Sequence, residues 1–185
     1  MLPVLIIVAV VLLIPLVWLI ATFNRLASVR VHLQDSWSGV EVELKRRYEL
    51  VPNLVETVKG YAAHERETLE QVVRLRDVAA ANRERPDRQE ADERALEAGV
   101  GRLLAVAERY PELKASDRFL DLQRELSLTE DRIAAGRRFY NANVRELNQL
   151  CRTFPTSLVA RIFGFEPQGF FEAEEDARSA VSVVS

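Results

Sequence analysis

The side chains that could carry out a reaction are few in kind. They are His32 and His64, the single Cys151, and many carboxylates. A metal-dependent hydrolase of the H-E-x-x-H type needs a second histidine one turn after the first, and His64-Glu65-Arg66-Glu67 has none. A di-metal centre in a helical bundle needs Glu-x-x-His motifs from two helices, and neither histidine sits in one. There is no G-x-G-x-x-G turn and no phosphate-binding Walker loop. Cys151 has no histidine near it in sequence and falls on an apolar helical face, so it reads as a small core residue rather than a nucleophile. His64 reads as a surface helix position. The carboxylates show no spacing that sets them apart from ordinary surface charge. The pattern therefore names no catalytic residue, no metal ligand and no cofactor.

The elements that would position any site begin with an apolar run, LPVLIIVAVVLLIPLVWLIATF, from Leu2 to Phe23. Roughly 22 residues at about 1.5 Å of rise each make about 33 Å of helix, enough to cross the hydrocarbon core of a bilayer. A soluble core helix would show a polar face, and this run has none. A cleaved signal peptide would carry a basic leader, a shorter apolar stretch and a small-x-small cleavage site; Ala21-Thr22-Phe23 does not supply one. Pro15 is tolerated inside a membrane helix, and Trp18 suits the interface. We therefore expect a transmembrane anchor over residues 1–24. Arg25 and Arg30 follow the run and nothing basic precedes it. The positive-inside rule then puts the N-terminus outside and the rest in the cytoplasm, which makes this a single-pass inner-membrane protein.

Residues 25–153 read as helices. Glycine and proline are sparse, at seven each, and charged residues make up 29%, which favours helix. The net charge of −3 argues against a general nucleic-acid binder. Leu26, Val29, Leu33, Trp37, Val40, Leu44, Tyr48 and Val51 step by three and four along one face, directly continuous with the span. Gly39 either permits close packing or costs stability. We expect the chain to break at Pro52, with Asn53 capping a new helix and Glu56 completing a capping box. The alternative is one helix kinked at Pro52. The next face is Val55, Val58, Ala62, Leu69, Val72 and Val78 or Ala79. A polar loop comes next at Asn82–Asp87, and then a helix from Asp87 to Arg109 with a small inner face of Ala91, Ala95, Gly99, Leu103, Val106 and Tyr110. Ser116 caps a long last helix whose stripe is Phe119, Leu122, Leu126, Thr129, Ile133, Gly136, Tyr140, Val144, Leu147 and Cys151. The charges beside it, Glu125, Asp131, Arg132, Arg137, Arg138 and Arg145, read as a solvated face. Asn141, Asn143 and Asn148 are poor helix formers inside this strong helix, which points to hydrogen bonds that set register.

The segment 154–171 differs in kind, with five phenylalanines among its eighteen residues. Phe154, Ile162, Phe163, Phe165, Phe170 and Phe171 are candidate membrane-surface contacts. Leu158, Val159, Ile162 and Phe163 can form one apolar face of a short helix, with Arg161 on another side. The competing reading is that these rings cap the open end of a helical core. Residues 172–185 begin with Glu172, Glu174, Glu175 and Asp176 and read as an acidic, disordered tail.

Three blocks together carry a resemblance: DSWSGVEVELKRRYELVPNLVETVKGYAAHERETLEQV, YPELKASDRFLDLQRELSLTEDRIAAGRRFYNANVRELNQ and FPTSLVARIFGFEPQGFFEAEEDA. The chain resembles the LemA family of bacterial membrane proteins over nearly its whole length, the anchor included. The departures are at Asn82–Glu90 and in the final residues. The resemblance implies an all-α protein, an antiparallel up-and-down four-helix bundle behind one N-terminal transmembrane helix, and it favours a turn at Pro52. It supplies no catalytic residues to carry over.

Three function classes remain. The first is a non-enzymatic, membrane-tethered module that binds or organises an unidentified protein partner. The second is an enzyme with a site in the bundle core. The third is a protein that works on the lipid surface. Regular apolar stripes and the missing catalytic signatures favour the first. The partners implied are the lipid bilayer and a protein, with no nucleic acid; oligomeric state has no sequence signature here.

Overall fold

The computed structural model describes residues 1–81 and 86–171, without the side chains of 5, 7, 8 and 86–88. Among these residues the chain is all-helical. The elements are α1 (Leu2–Lys59), α2 (Arg66–Ala81), α3 (Pro86–Ala107), α4 (Pro111–Lys114), α5 (Asp117–Arg152) and α6 (Thr156–Ile162). The expected acidic tail over 172–185 and residues 82–85 of the expected polar loop lie outside the described residues.

Anchor and first helix are one element, as the unbroken apolar pattern requires. Contrary to the expected break, α1 also runs through Pro52 to Lys59. Proline at 52 cannot donate to the Tyr48 carbonyl one turn back. Arg76 Nε of α2 donates to that carbonyl instead, at 3.0 Å, so the freed acceptor is satisfied and the helix continues. Asn53 is accordingly no cap. The turn comes at 60–65, where Tyr61 and Ala62 N–H groups donate to the Val58 carbonyl. His64 lies exposed in this turn rather than on a helix.

The chain divides into two compact units. Among the described residues, one comprises 1–36 and 139–169, the other 37–81, 86–138, 170 and 171. In the first, Leu26 and Val29 of α1 pack with Leu147 and Leu150 of α5 and with Val159 and Ala160 of α6. Arg25 pairs with Glu146 at 3.1 Å, and Asn143 Nδ2 donates to the His32 carbonyl and to Ser36 Oγ, both at 3.2 Å. Contacts thus advance along α1 as they retreat along α5. Asn143 does what its unfavourable helix propensity suggested: it bonds across helices.

In the second unit the expected α1 and α5 stripes are buried at Val40, Leu44, Tyr48, Val51, Phe119, Leu126 and Ile133. An added Cβ at Gly136 would sit 2.8 Å from Val40 Cγ2, so glycine here permits close approach of α5 to α1. Gly39 has open space and no such role. Between α2 and α3, Gly99 plays the packing part: a Cβ there would sit 2.8 Å from Leu75 Cδ1. The α3 face matches expectation at Gly99, Leu103 and Val106 and departs from it in the first half of the helix. Ala91 is exposed and Ala95 half-buried, while the buried line is Gln89, Glu93, Leu96, Gly99, Val100, Leu103 and Val106. A search for apolar residues passes over this line because its first two members are polar. The short α4, begun by Pro111, had no periodic signal to announce it.

Candidate functional site

The described residues gather their unusual chemistry in two places, one in each unit. The first is buried in the larger unit. Arg47 lies on α1 between Leu44 and Val51 and is fully buried, and Glu93 on α3 is 1% exposed. The guanidinium donates through Nη2 to Glu93 Oε2 and through Nη1 to both carboxylate oxygens of the half-exposed Glu130 on α5, at 2.8 and 3.0 Å. Tyr48, one residue on, donates its hydroxyl to Glu93 Oε1. Gln89 Nε2 donates to the Tyr48 oxygen at 3.1 Å and to Glu93 Oε1 at 3.0 Å. Desolvation by burial opposes the charge on Arg47, but the two carboxylates outweigh it and its pKa is raised. Burial, helped by the bond to Glu93, pushes the Tyr48 phenol far above its ordinary value.

That shift has a sign in stability. The folded chain favours the neutral phenol, so its contribution is full below the unfolded tyrosine value of about 10 and is lost as pH rises above it. The Tyr48 contribution to unfolding free energy should hold steady up to about pH 10 and then decline. Tyr48→Phe should flatten that decline in denaturant titrations run at successive pH values.

The second place lies in the smaller unit, where the span ends. Thr156 Oγ1 lies 2.7 and 2.8 Å from the Leu150 and Thr153 carbonyls, closing the end of α5 and turning the chain into α6. α6 stops at Gly164, whose φ of +70° is open to glycine. Phe165 N–H then donates to the Ala160 carbonyl at 2.9 Å and Gly164 N–H to that of Arg161, a Schellman stop. This turn delivers two rings to Phe23: Phe163 at 4.7 Å and Phe165 at 5.9 Å between centroids, both edge-on. The Arg30 guanidinium lies over the Phe165 ring, 5.9 Å from its centroid. Asn148 fixes the stretch after this turn, donating to the Gln168 carbonyl at 2.9 Å and accepting from its N–H at 2.8 Å. Cys151 is partly buried beside the Phe165 carbonyl, and burial raises its thiol pKa, which suits packing rather than attack.

The six expected surface residues separate. Phe154, Ile162, Phe163 and Phe170 are exposed, Phe165 is half-buried, and Phe171 is fully buried. Phe171 therefore leaves the set of candidate lipid contacts: its ring packs edge-on to Trp37 at 5.1 Å and lies under the Arg137 guanidinium at 5.5 Å. The expected apolar face of α6 is also divided. Val159 and Ala160 are the inward residues, and Leu158, Ile162 and Phe163 are outward.

Sequence reasoning missed Arg47 and Glu93 because charges were assigned to solvent. The available signal was positional. Arg47 is three residues after Leu44 and four before Val51, and Glu93 is three before Leu96, so each holds a stripe position with opposite sign.

A family model described as the LemA family matches residues 36–184. The chain belongs to the LemA family. The match begins beyond the anchor, which the resemblance had included. Among relatives, protein LemA of Metamycoplasma hominis is 28% identical over 158 residues, covering 84% of this chain and 71% of that protein. Magnetosome protein MamQ of Magnetospirillum gryphiswaldense is 24% identical over 178 residues, covering 83% and 65%. Magnetosome protein MamQ 2 of Paramagnetospirillum magneticum is 36% identical over 73 residues, covering 40% and 27%. This chain thus spans less than two thirds of either magnetosome relative. For a LemA family member, an apolar N-terminal helix long enough to cross a bilayer marks a membrane-anchored protein.

Proposed function

We propose that this LemA family member is a single-pass inner-membrane protein whose cytoplasmic helices form a non-enzymatic interaction or scaffold module. In this reading the part of α1 beyond the membrane, α2, α3 and α5 make an antiparallel, up-and-down four-helix bundle. Arg25 and Arg30 behind the span support a cytoplasmic bundle and an outside N-terminus. The observation that carries the reading is how the interior is used: apolar side chains occupy it, and the charges that enter, Arg47 and Glu93, are bonded to one another and to Glu130. An open groove of about 620 Å³ lies instead on the surface, lined by Val55, Ala63, Leu69 and Val73 and rimmed by Lys59 and Arg66. Such a groove suits the apolar face of a partner helix.

The alternative, a membrane-associated enzyme with a site in the bundle core, would have to work through the Arg47 cluster. Photocrosslinking in native membranes separates the two. A crosslinker at Val73 of the full chain should yield a discrete protein adduct, and one at exposed Val42, outside the groove, should not. A reporter fused after Ser185 should read as cytoplasmic. No adduct at Val73, together with a turnover by the purified protein that Glu93→Gln abolishes, would overturn the scaffold reading. Digestion of the helical part by protease added outside intact cells would overturn the orientation.

A further inference from the structure

We infer that α6, with Phe154 before it, is a second membrane contact, a short interfacial helix lying among lipid headgroups beside the span. This goes beyond a scaffold role and rests on α1 being anchored in the bilayer. The geometry is one of height. Phe23 ends the apolar run, and Phe163 and Phe165 pack directly on its ring. Val159 and Ala160 are buried in a cluster against which Leu19 and Phe23 pack. α6 is therefore level with the last turns of the spanning helix. With about 33 Å of apolar helix crossing a hydrocarbon core of about 30 Å, the end of the run at Phe23 falls at the boundary between acyl chains and headgroups.

The inner face of α6 is used up by that packing, and its outer face is not polar. Phe154 is 77% exposed, Ile162 71%, Leu158 49% and Phe163 45%. Leu158 and Ile162 are one turn apart and share a side of the helix. Leu19 and Phe23 of the span pack against the cluster that holds the inner face of α6, and the span beside them is exposed and apolar at Leu16 and Ile20, so at this height the occupant we infer for the outer face is lipid rather than a second protein. The charges agree. Arg152 and Arg161 are both exposed, and no carboxylate pairs with either among the described residues. Guanidinium groups flanking exposed aromatic and aliphatic side chains match an interface of phosphate above and acyl chain below.

The test uses the full chain, with Cys151→Ser, reconstituted in vesicles of phosphatidylethanolamine and phosphatidylglycerol. Single spin labels are placed through Leu12→Cys, Val31→Cys, Phe154→Cys and Ile162→Cys, and collision with oxygen is compared with collision with a water-soluble nickel complex. Leu12 reports the span. Val31, exposed on α1 about 12 Å beyond Phe23, reports water. The labels at Phe154 and Ile162 should favour oxygen over nickel several-fold relative to Val31. If Leu12 reads lipid while both α6 labels match Val31, α6 lies in water and the inference fails with anchoring intact. If both reagents are excluded at Phe154 and Ile162, protein covers the patch and the inference fails equally. If Leu12 itself reads water, the anchoring falls, and the inference with it.

Discussion

Arg47→Ala should destabilise the folded chain by about 3–5 kcal/mol, because it leaves Glu93 buried with its charge uncompensated. The guanidinium is fully buried and Glu93 1% exposed, so water cannot replace the lost partner without opening the packing between α1 and α3. Arg47→Met combined with Glu93→Leu should cost much less than the two single changes added together, since the double change removes both charges and keeps the volume. A third variant calibrates the scale. Arg46, the neighbouring residue, pairs with Glu125 on the surface, and Arg46→Ala should cost about 1 kcal/mol or less. Chemical denaturation of the detergent-solubilised chain, followed by circular dichroism, checks them all. A cost for Arg47→Ala no greater than that for Arg46→Ala would show that the buried pair contributes nothing.

Ile133→Ala and Leu126→Ala are each expected to lower stability by about 2–5 kcal/mol, the usual range for emptying a well-packed site. Ile133 is fully buried and Leu126 3% exposed, both on the α5 stripe facing the larger unit's core. Arg138, exposed on the same helix, should tolerate alanine at about 0.5 kcal/mol or less. Ile133→Val should fall between, at roughly 1 kcal/mol, because only one methylene is lost. Equal midpoints for Ile133→Ala and Arg138→Ala in the same denaturant series would refute the assigned face.

The features that the sequence determined by itself are those that repeat. A span of about 22 apolar residues needs no partner to be legible, since its length alone matches a bilayer. The α1 and α5 stripes repeat over many turns, so one misread position cannot move them. Those stripes predicted the burial of Leu26, Val40, Leu44, Tyr48, Phe119, Leu126, Ile133, Tyr140 and Val144. Asn143 and Asn148 were legible as exceptions, because asparagine inside a strong helix needs a reason. Tertiary structure decided whatever depends on a group far away in sequence. Pro52 breaks a helix or is carried through it according to whether something else bonds the Tyr48 carbonyl, and that donor, Arg76, is 28 residues on. Arg47 and Glu93 are surface charges or core residues according to whether each meets the other across 46 residues. Phe163 and Phe171 have the same side chain and neighbouring places in one aromatic segment. One is nearly half exposed beside Phe23 and the other fully buried against Trp37, because burial is a property of what packs on a ring and not of the ring itself.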